Sequence, residues 1–157
     1  MSKANKTAME AATAFLANRM RTSEEVRQRL REREYSAADT EETVRELESL
    51  GYLNDYEYAL RYFEYNREKR RGSKRAVMEL LQKGVDEETV RNAREDFQHE
   101  QNADEFEDAM QLARREADGR SVDDKLSAKV ARKLEARGFE KRDIIRVLEA
   151  LRRNEDV

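Results

Sequence analysis

Apolar residues recur at helical spacing along most of this chain, and the same spacing returns in three segments. The segments align without gaps when Glu34-Tyr35, Gly84-Val85 and Gly138-Phe139 are placed in register. The aligned positions share serine or small and apolar residues: Ser23, Ser73 and Ser127; Val26, Ala76 and Val130; Leu30, Leu80 and Leu134; Thr40, Val90 and Ile144; Thr43, Ala93 and Val147. Residues three or four positions apart lie on one face of a helix, so each segment predicts the same pair of helices.

A leading helix precedes each predicted pair. The leading helices are predicted with their apolar residues as follows: about 7–18 with Phe15 and Leu16, about 55–71 with Tyr58 and Tyr62, and about 104–118 with Phe106 and Met110. The chain is therefore predicted to be all-α, with three tandem three-helix repeats of helix-turn-helix-like form. Because one repeat cannot bury its apolar face alone, neighbours must stack, and we expect an elongated, curved array.

The same register sets predicted domain boundaries. The domains are predicted as residues 1–6, a flexible N-terminus; 7–52, repeat 1; 53–98, repeat 2; 99–153, repeat 3; and 154–157, a flexible C-terminus. The stretch from Asp96 to Asp104 has the least regular pattern, so it is predicted either as a linker or as helix that crosses the repeat boundary. Glu34 holds the place of Gly84 and Gly138, so the first repeat must close this turn without glycine.

Residues 47–85 carry the clearest signals for helix ends. Gly51 is predicted to close one helix, because glycine adopts the left-handed closing conformation most easily. Asn54 or Asp55 is predicted to cap the next helix, which runs into a basic stretch and is closed by Gly72.

A third helix is predicted to begin at a cap formed by Ser73. Its apolar residues Val77, Leu80 and Leu81 are predicted to face inward. Gly84 is predicted to end it before Val85.

Residue for residue, this segment resembles the RecX family, bacterial regulators of the RecA recombinase. The family typically shows L-G-Y-L-[DN]-D, an aromatic-Ala pair, a basic-Gly junction and E-L-x-x-K-G-[IV]. Here LGYLND, Tyr58-Ala59, Arg71-Gly72 and ELLQKGV occupy those places. The family's opening pattern is similar to this chain at Ala14-Phe15-Leu16, Arg19, Ser23, Val26 and Leu30, so residues 8–97 are covered.

The resemblance implies a function. RecX-like proteins bind in the groove of the RecA–single-stranded-DNA filament and suppress its extension and its recombinase activity. It therefore implies a regulator of DNA repair and recombination in a bacterial cytoplasm, which acts on the RecA nucleoprotein filament. From the register of the predicted helix pairs we expect the chain itself to be a monomer.

The composition agrees with many small helices rather than one large core. Charged residues make up 43% of the chain and apolar residues 38%, and Trp, Cys and Pro are absent. The usual apolar share is about 45–50%. Without cysteine no disulfide framework is expected, which suits the cytoplasm. No apolar run is long enough for a membrane span, and residues 1–10 lack a secretory signal, so no membrane partner is expected.

Charge alternates along the chain although the formal net charge is only −3. Basic residues dominate 19–33, 61–75 and 125–142, whereas acidic residues dominate 36–57 and 86–108. Such alternation could line one edge of the array with positive charge and another with negative charge. Ordinary solvated helix faces with i,i+4 pairs are the alternative for any one cluster.

Candidate catalytic chemistry is sparse. The single histidine, His99, lies in the least regular stretch without a partner motif, and there is no thiol nucleophile. The sequence Arg71-Gly72-Ser73-Lys74 lacks the glycine spacing of a phosphate loop. Only Asp96 with His99 approaches the Glu-x-x-His spacing of a di-iron bundle. We therefore predict no catalytic, cofactor-binding or metal-binding residues and no enzyme activity.

Nucleic acid is a second candidate ligand. In a helix-turn-helix the reading helix would begin here with Asp86-Glu87-Glu88, which phosphates repel, so sequence-specific duplex binding is disfavoured. A weak contact with single-stranded DNA is favoured instead by Tyr62 and Tyr65 next to the basic run 67–75. The alternative for Tyr58, Tyr62 and Phe63 is a place in the core, because they are spaced along one helix face.

The predicted partner-binding residues straddle the bend between two helices, where long side chains from both can converge. They are Arg67, Arg70, Arg71, Lys74, Arg75 and Tyr65. Their clustering raises the local potential in a chain that is negative overall. A general helical adaptor, or an accessory factor that binds single-stranded DNA, is the alternative function.

Overall fold

The computed structural model describes residues 6–155, with the side chains of Asn154 and Glu155 left out. Within that range the chain forms nine α-helices and no strand. The helices are α1 Ala8–Leu16, α2 Ser23–Glu32, α3 Ala37–Ser49, α4 Asp55–Glu68, α5 Ser73–Gln82, α6 Glu87–Glu100, α7 Glu105–Ala117, α8 Asp124–Ala136 and α9 Lys141–Glu155. The predicted all-α class with helical repeats is confirmed. The predicted flexible ends fall largely on residues 1–5 and 156–157, which lie outside the described residues.

The chain divides into two compact units, and the division runs through α4, α5 and α6. The first unit holds the described residues up to Leu60 together with Leu80–Ala93, and the second holds Arg61–Glu79 together with the described residues from Arg94 onward. None of the helices within residues 6–155 is long and apolar enough to cross a membrane.

Each unit has its own apolar core. In the first unit α1, α2 and α3 bury small and branched side chains, among them Ala8, Ala12, Val26, Leu30, Val44 and Leu47. In the second unit α7, α8 and α9 bury a larger set, among them Met110, Leu112, Leu126, Val130, Leu134, Phe139, Val147 and Leu151. The aligned positions are buried in all three repeats, so the pattern found in the sequence corresponds to burial in the structure.

The aligned serines make the contacts that join consecutive repeats. In the first unit the backbone N–H of Ser23 donates to Asp55 Oδ1 over 2.8 Å, and Asp55 is the first residue of α4. In the second unit both the N–H and the hydroxyl of Ser73 donate to the carboxylate of Glu105, the first residue of α7. In both cases the acid follows the serine by 32 residues. Burial raises the pKa of the Asp55 carboxyl, against the opposing effect of this backbone hydrogen bond.

The third repeat departs from this arrangement. Helix α8 begins at Asp124, three residues before the aligned Ser127, whereas α2 and α5 begin at their aligned serines. Asp123 caps α8 from its own segment, because its Oδ1 accepts the N–H of Leu126 over 2.8 Å. The N-terminal turn of α8 therefore needs no acid from another helix.

In each repeat, the turn between the middle and third helices contains one residue in the left-handed region of backbone conformation. Gly84 and Gly138 have φ of 89° and 88°, and Glu34 takes the same role with φ of 67°, so this turn closes without glycine as predicted. A Cβ on Gly138 would lie 2.3 Å from the Cβ of Arg75, which makes glycine obligatory there for space as well. Glu34 is exposed.

We expect Glu34→Gly to raise the free energy of unfolding by about 0.5–1 kcal/mol. An L-residue in the left-handed region costs about 1–2 kcal/mol, and the added chain entropy of glycine offsets part of the gain. Equilibrium urea unfolding measures the change. The matched control is Glu32→Gly at the exposed last residue of α2, which should lower stability, and equal effects of the two changes would contradict the assignment of strain to Glu34.

Several helix ends and faces can be compared with their predictions. Asn54 rather than Asp55 caps α4, since its Oδ1 accepts the N–H of Glu57 over 3.0 Å. Leu80 is fully buried, but Leu81 is 39% exposed, so its predicted inward orientation is wrong. The buried stripe of α5 is narrow and follows Ala76 and Leu80, and a residue one position further along a helix turns away by about 100°.

The stretch from Asp96 to Asp104 combines both predicted forms. Helix α6 continues to Glu100, and a short turn then connects it to α7. Asn102 lies in the left-handed region with φ of 48°, and the N–H of Ala103 donates to the carbonyl of Gln98 over 2.9 Å.

Candidate partner-binding surface

The basic residues lie where α4 ends and α5 begins, and a buried asparagine organises the bend. Asn66 is 2% exposed, and its Nδ2 donates to the carbonyl oxygens of Arg71 and Gly72 over 3.2 and 2.9 Å. Arg70 turns the chain with φ of 59°. These contacts fix the backbone from which the predicted arginine and lysine side chains project. Asn66 was not singled out from the sequence, because nothing in its spacing marks a polar residue as buried.

The bend also packs directly against backbone of the third repeat. The N–H of Gly72 donates to the carbonyl of Arg137 over 2.8 Å. A guanidinium nitrogen of Arg137 in turn donates to the carbonyl of Lys69 over 3.1 Å, near the end of α4. A cation at this place also interacts favourably with the negative end of the helix dipole.

Arg67 is held by an ion pair, although its side chain is still 38% exposed. Its Nε and Nη2 donate to the two carboxylate oxygens of Asp108 on α7 over 3.0 and 3.4 Å. A bidentate pair of this kind fixes the guanidinium and compensates its charge. Arg67 therefore positions α4 against α7, and it adds less to the local potential than the sequence suggested.

Three of the predicted residues surround one cavity. Arg67, Arg70 and Arg71 line a depression of about 190 Å³, whose opposite wall is α7 with Gln111 and Arg115. Lys74, Arg75 and Tyr65 are not part of this lining. Arg115 adds a further exposed cation that sequence reasoning missed, since 40 or more residues separate it from the others and only the fold brings them together. Its position in the basic last turn of α7 is the one local signal.

Lys74 and Arg75 occupy an electrostatically unfavourable place. Both lie in the first turn of α5, which contains no acidic residue. Positive charge at a helix N-terminus opposes the helix dipole by about 0.3–1 kcal/mol per charge. Arg75 is partly compensated by Glu79, 3.5 Å away, while Lys74 is exposed.

Tyr65 is 48% exposed. The ammonium of Lys69 lies 5.5 Å from the centre of its ring, and the ring of Tyr62 lies 6.3 Å away. Phe63, in contrast, is buried and stacks on Phe97 at 5.9 Å. One aromatic residue of this helix segment is thus available at the surface beside a cation.

A carboxylate of α7, rather than the predicted Ser73 side chain, caps the first turn of α5. Ser73 is the first residue of α5 rather than its cap, and the Glu105 carboxylate of α7 accepts its N–H and its hydroxyl. The prediction that Ser73 caps the helix with its own side chain is wrong, because that hydroxyl acts as a donor to Glu105. The basic first turn of α5 gains a negative charge from α7 by this route.

We expect Ser73→Ala to lower the free energy of unfolding by about 1 kcal/mol, since one hydrogen bond to a charged group is lost. Glu105→Gln should cost more, about 2 kcal/mol, because it removes the charge that both donors share. Urea unfolding midpoints measure both changes. A larger loss for Ser73→Ala than for Glu105→Gln would contradict the carboxylate as the main capping group.

Comparison with known proteins gives two family matches. Residues 8–47 match the domain described as "RecX, first three-helix domain", and residues 54–93 match "RecX, second three-helix domain". The chain is 33% identical over 90 residues to "Regulatory protein RecX" of Bacillus subtilis, a match covering 57% of this chain and 34% of that protein. It is 28% identical over 130 residues to the protein of the same name in Listeria monocytogenes, covering 82% of this chain and 48% of that protein. The matches thus span about a third to a half of the length of these relatives.

Solved structures share the fold. A crystal structure of RecX from Lactobacillus salivarius superposes with a TM-score of 0.80 at 23% identity, covering 92% of this chain and 94% of that one. A second crystal structure, of regulatory protein RecX, superposes with a TM-score of 0.76 at 21% identity, covering 94% of this chain and 73% of that one. At such identity the likeness shows a common helical arrangement.

Proposed function

Because the chain belongs to the RecX family, a family of regulatory proteins and not of enzymes, we propose that it binds the RecA–single-stranded-DNA filament. In this proposal it inhibits or modulates the recombinase and ATPase activities of RecA during DNA repair and recombination. It acts as a monomer in the cytoplasm and catalyses no reaction itself. The partner-binding surface is the α4–α5 bend with Arg67, Arg70, Arg71, Lys74, Arg75 and Tyr65.

One observation supports this surface above others. Among the described residues no ion pair joins Arg70, Arg71 or Lys74 to a carboxylate, although acidic side chains are abundant in this chain. The paired Arg67 and Arg75 flank them. Unpaired cations held on a rigid bend favour fast association with a negatively charged partner, whether acidic protein surface or DNA backbone.

The experiment that tests the function measures ATP hydrolysis by RecA on single-stranded DNA with increasing amounts of this protein. We expect hydrolysis to fall as the protein is added, and filament length in electron micrographs to fall with it. Unchanged hydrolysis and unchanged filaments at a large excess of the protein would refute the proposal.

Direct binding to single-stranded DNA is the second candidate, supported by the exposed Tyr65 ring beside Lys69. Stacking of a base on an aromatic ring contributes about 1–3 kcal/mol and does not depend on sequence. Fluorescence anisotropy of a labelled oligonucleotide without RecA separates the candidates. A dissociation constant for the oligonucleotide close to the protein concentration that inhibits RecA would favour the DNA-binding accessory factor. A much larger dissociation constant favours the filament as the partner.

A further inference from the structure

A second group of cations lies in the first repeat, far along the sequence from the α4–α5 bend. A cavity of about 250 Å³ is bounded by α1, the segment after it and the end of α2. Its charged lining residues are all basic, and they are Lys6, Arg21, Arg29 and Arg33. Two aromatic side chains, Phe15 and Tyr35, complete the wall. A neighbouring depression shares Phe15 and Arg29 with this cavity, and its acidic lining residues are Glu24, Glu25 and Glu32.

The arginines of α2 and of its C-cap position, Arg33, divide into two classes. Arg27 pairs with Glu41 at 2.8 Å and Arg31 pairs with Glu24 at 3.3 Å. Arg29 and Arg33 line the cavity, and within residues 6–155 neither forms an ion pair with a carboxylate. Alternate arginines along residues 27–33 thus differ in whether an ion pair compensates their charge.

The cavity holds its cations close together without neutralising them. The guanidinium carbons of Arg21 and Arg29 lie 4.0 and 5.1 Å from the centre of the same Phe15 ring. The Nε of Arg21 is buried, and no described group accepts a hydrogen bond from it. Tyr35 fixes the rim, since its hydroxyl donates to the carbonyl of Lys6 over 2.8 Å. Cation–π contacts compensate part of the repulsion, but two guanidinium groups near one ring repel each other.

We propose that this cavity is a binding site for a polyphosphate group, such as that of a free nucleoside triphosphate. The planar donor fork of arginine matches phosphate oxygens, and several guanidinium groups are best neutralised by one multiply charged ligand. A carboxylate or one phosphodiester of a DNA strand carries a single charge and leaves the cluster uncompensated. The volume admits a phosphate chain, while whole small-molecule sites are usually about 300–1,000 Å³.

Isothermal titration calorimetry of the full chain with inorganic pyrophosphate tests the site. We expect saturable binding that Arg29→Gln, Arg33→Gln weakens by roughly tenfold or more, because two charge-assisted contacts are lost. The matched control is Arg27→Gln, Arg31→Gln, which removes the same charge from the same segment and should bind pyrophosphate as the parent does. Equal loss in both double variants, or no binding by the parent, overturns the proposal.

Further measurements distinguish a polyphosphate site from a DNA-binding site and from a folding defect. ATP should bind at least as tightly as pyrophosphate, and a short single-stranded oligonucleotide should bind more weakly and be insensitive to Arg29→Gln, Arg33→Gln. An oligonucleotide that binds more tightly, and loses affinity with that variant, overturns the assignment to polyphosphate. Pyrophosphate should also raise the melting temperature of the parent but not of the variant. The conservative variant Arg29→Lys, Arg33→Lys keeps both positive charges but loses the planar donor forks of arginine. Intermediate affinity at parental stability would show that the affinity lost in the glutamine variant reflects lost contacts and not a folding defect.

Discussion

Gly72→Ala is expected to lower the free energy of unfolding by about 3 kcal/mol, at the upper end of what overpacking costs. A Cβ at this position would lie 2.3 Å from the carbonyl oxygen of Gly138 and 2.6 Å from Phe139 Cα. Both are backbone atoms, so no side-chain rotation can relieve the clash. The bend would have to move away from the third repeat and lose the hydrogen bond from Gly72 to Arg137. Urea unfolding followed by circular dichroism measures the loss.

The matched control for this prediction is Gly119→Ala. Gly119 has φ of 74°, and no atom lies within 4 Å of its hypothetical Cβ. The control therefore measures left-handed strain alone, about 1–2 kcal/mol. If Gly72→Ala proves no more costly than Gly119→Ala, the backbone contact is not a source of stability.

The second large effect concerns function. We expect the triple variant Arg70→Glu, Arg71→Glu, Lys74→Glu to raise the amount of protein needed for half-inhibition of RecA ATP hydrolysis by roughly tenfold or more, through lost charge complementarity. These three side chains carry unpaired charge, whereas Arg67 and Arg75 have acidic partners that reversal would leave uncompensated. The fold should persist, because solvated charges far from a core contribute little to stability. Rising salt should produce the same weakening in the parent, since exposed charges are screened beyond about 8–10 Å.

An equal charge change on the acidic start of α6 controls for net charge. Asp86, Glu87 and Glu88 are exposed, and their reversal to lysine should leave inhibition unchanged. Asp86 accepts from the N–H and the hydroxyl of Thr89, and these hydrogen bonds lower the pKa of its carboxyl. Its replacement therefore costs some helix stability, which circular dichroism detects separately. The proposed surface would be wrong if this control lost inhibition and the basic variant kept it.

The features of the fold that could be predicted from the sequence are those set by interactions between residues close together in the chain. Helix periodicity and left-handed closing residues act over a few positions, so the repeats and the turn at Glu34 could be predicted. Leu81 could not be placed, because apolar character shows that a side chain favours burial but not whether a neighbouring helix covers it. The capping of Ser73 by Glu105 depends on a partner in another repeat. Its only trace is the 32-residue interval shared with Ser23 and Asp55.

The same distinction between local sequence signals and packing of distant helices applies to the candidate surface. The basic run could be found because charge is visible in sequence. The pairing of Arg67 with Asp108 and the proximity of Arg115 arise from the packing of α7 against α4. Spacing alone therefore overstated the free charge of Arg67 and missed a cation across the cavity.

The way in which the middle helices are capped has a consequence for how the chain folds as the ribosome makes it. The first turns of α2 and α5 bond to Asp55 and Glu105, residues that are synthesised only after those helices are complete. Helix α2 can close its first turn beforehand, because Thr22 Oγ1 accepts the N–H of Glu25 over 3.1 Å. In α5, the N–H and the hydroxyl of Ser73 lack their acceptor Glu105 until the following repeat has emerged. The cap of α8, Asp123, precedes the helix in the chain. The contacts that join consecutive repeats therefore form only after the helix that supplies the acid has been synthesised.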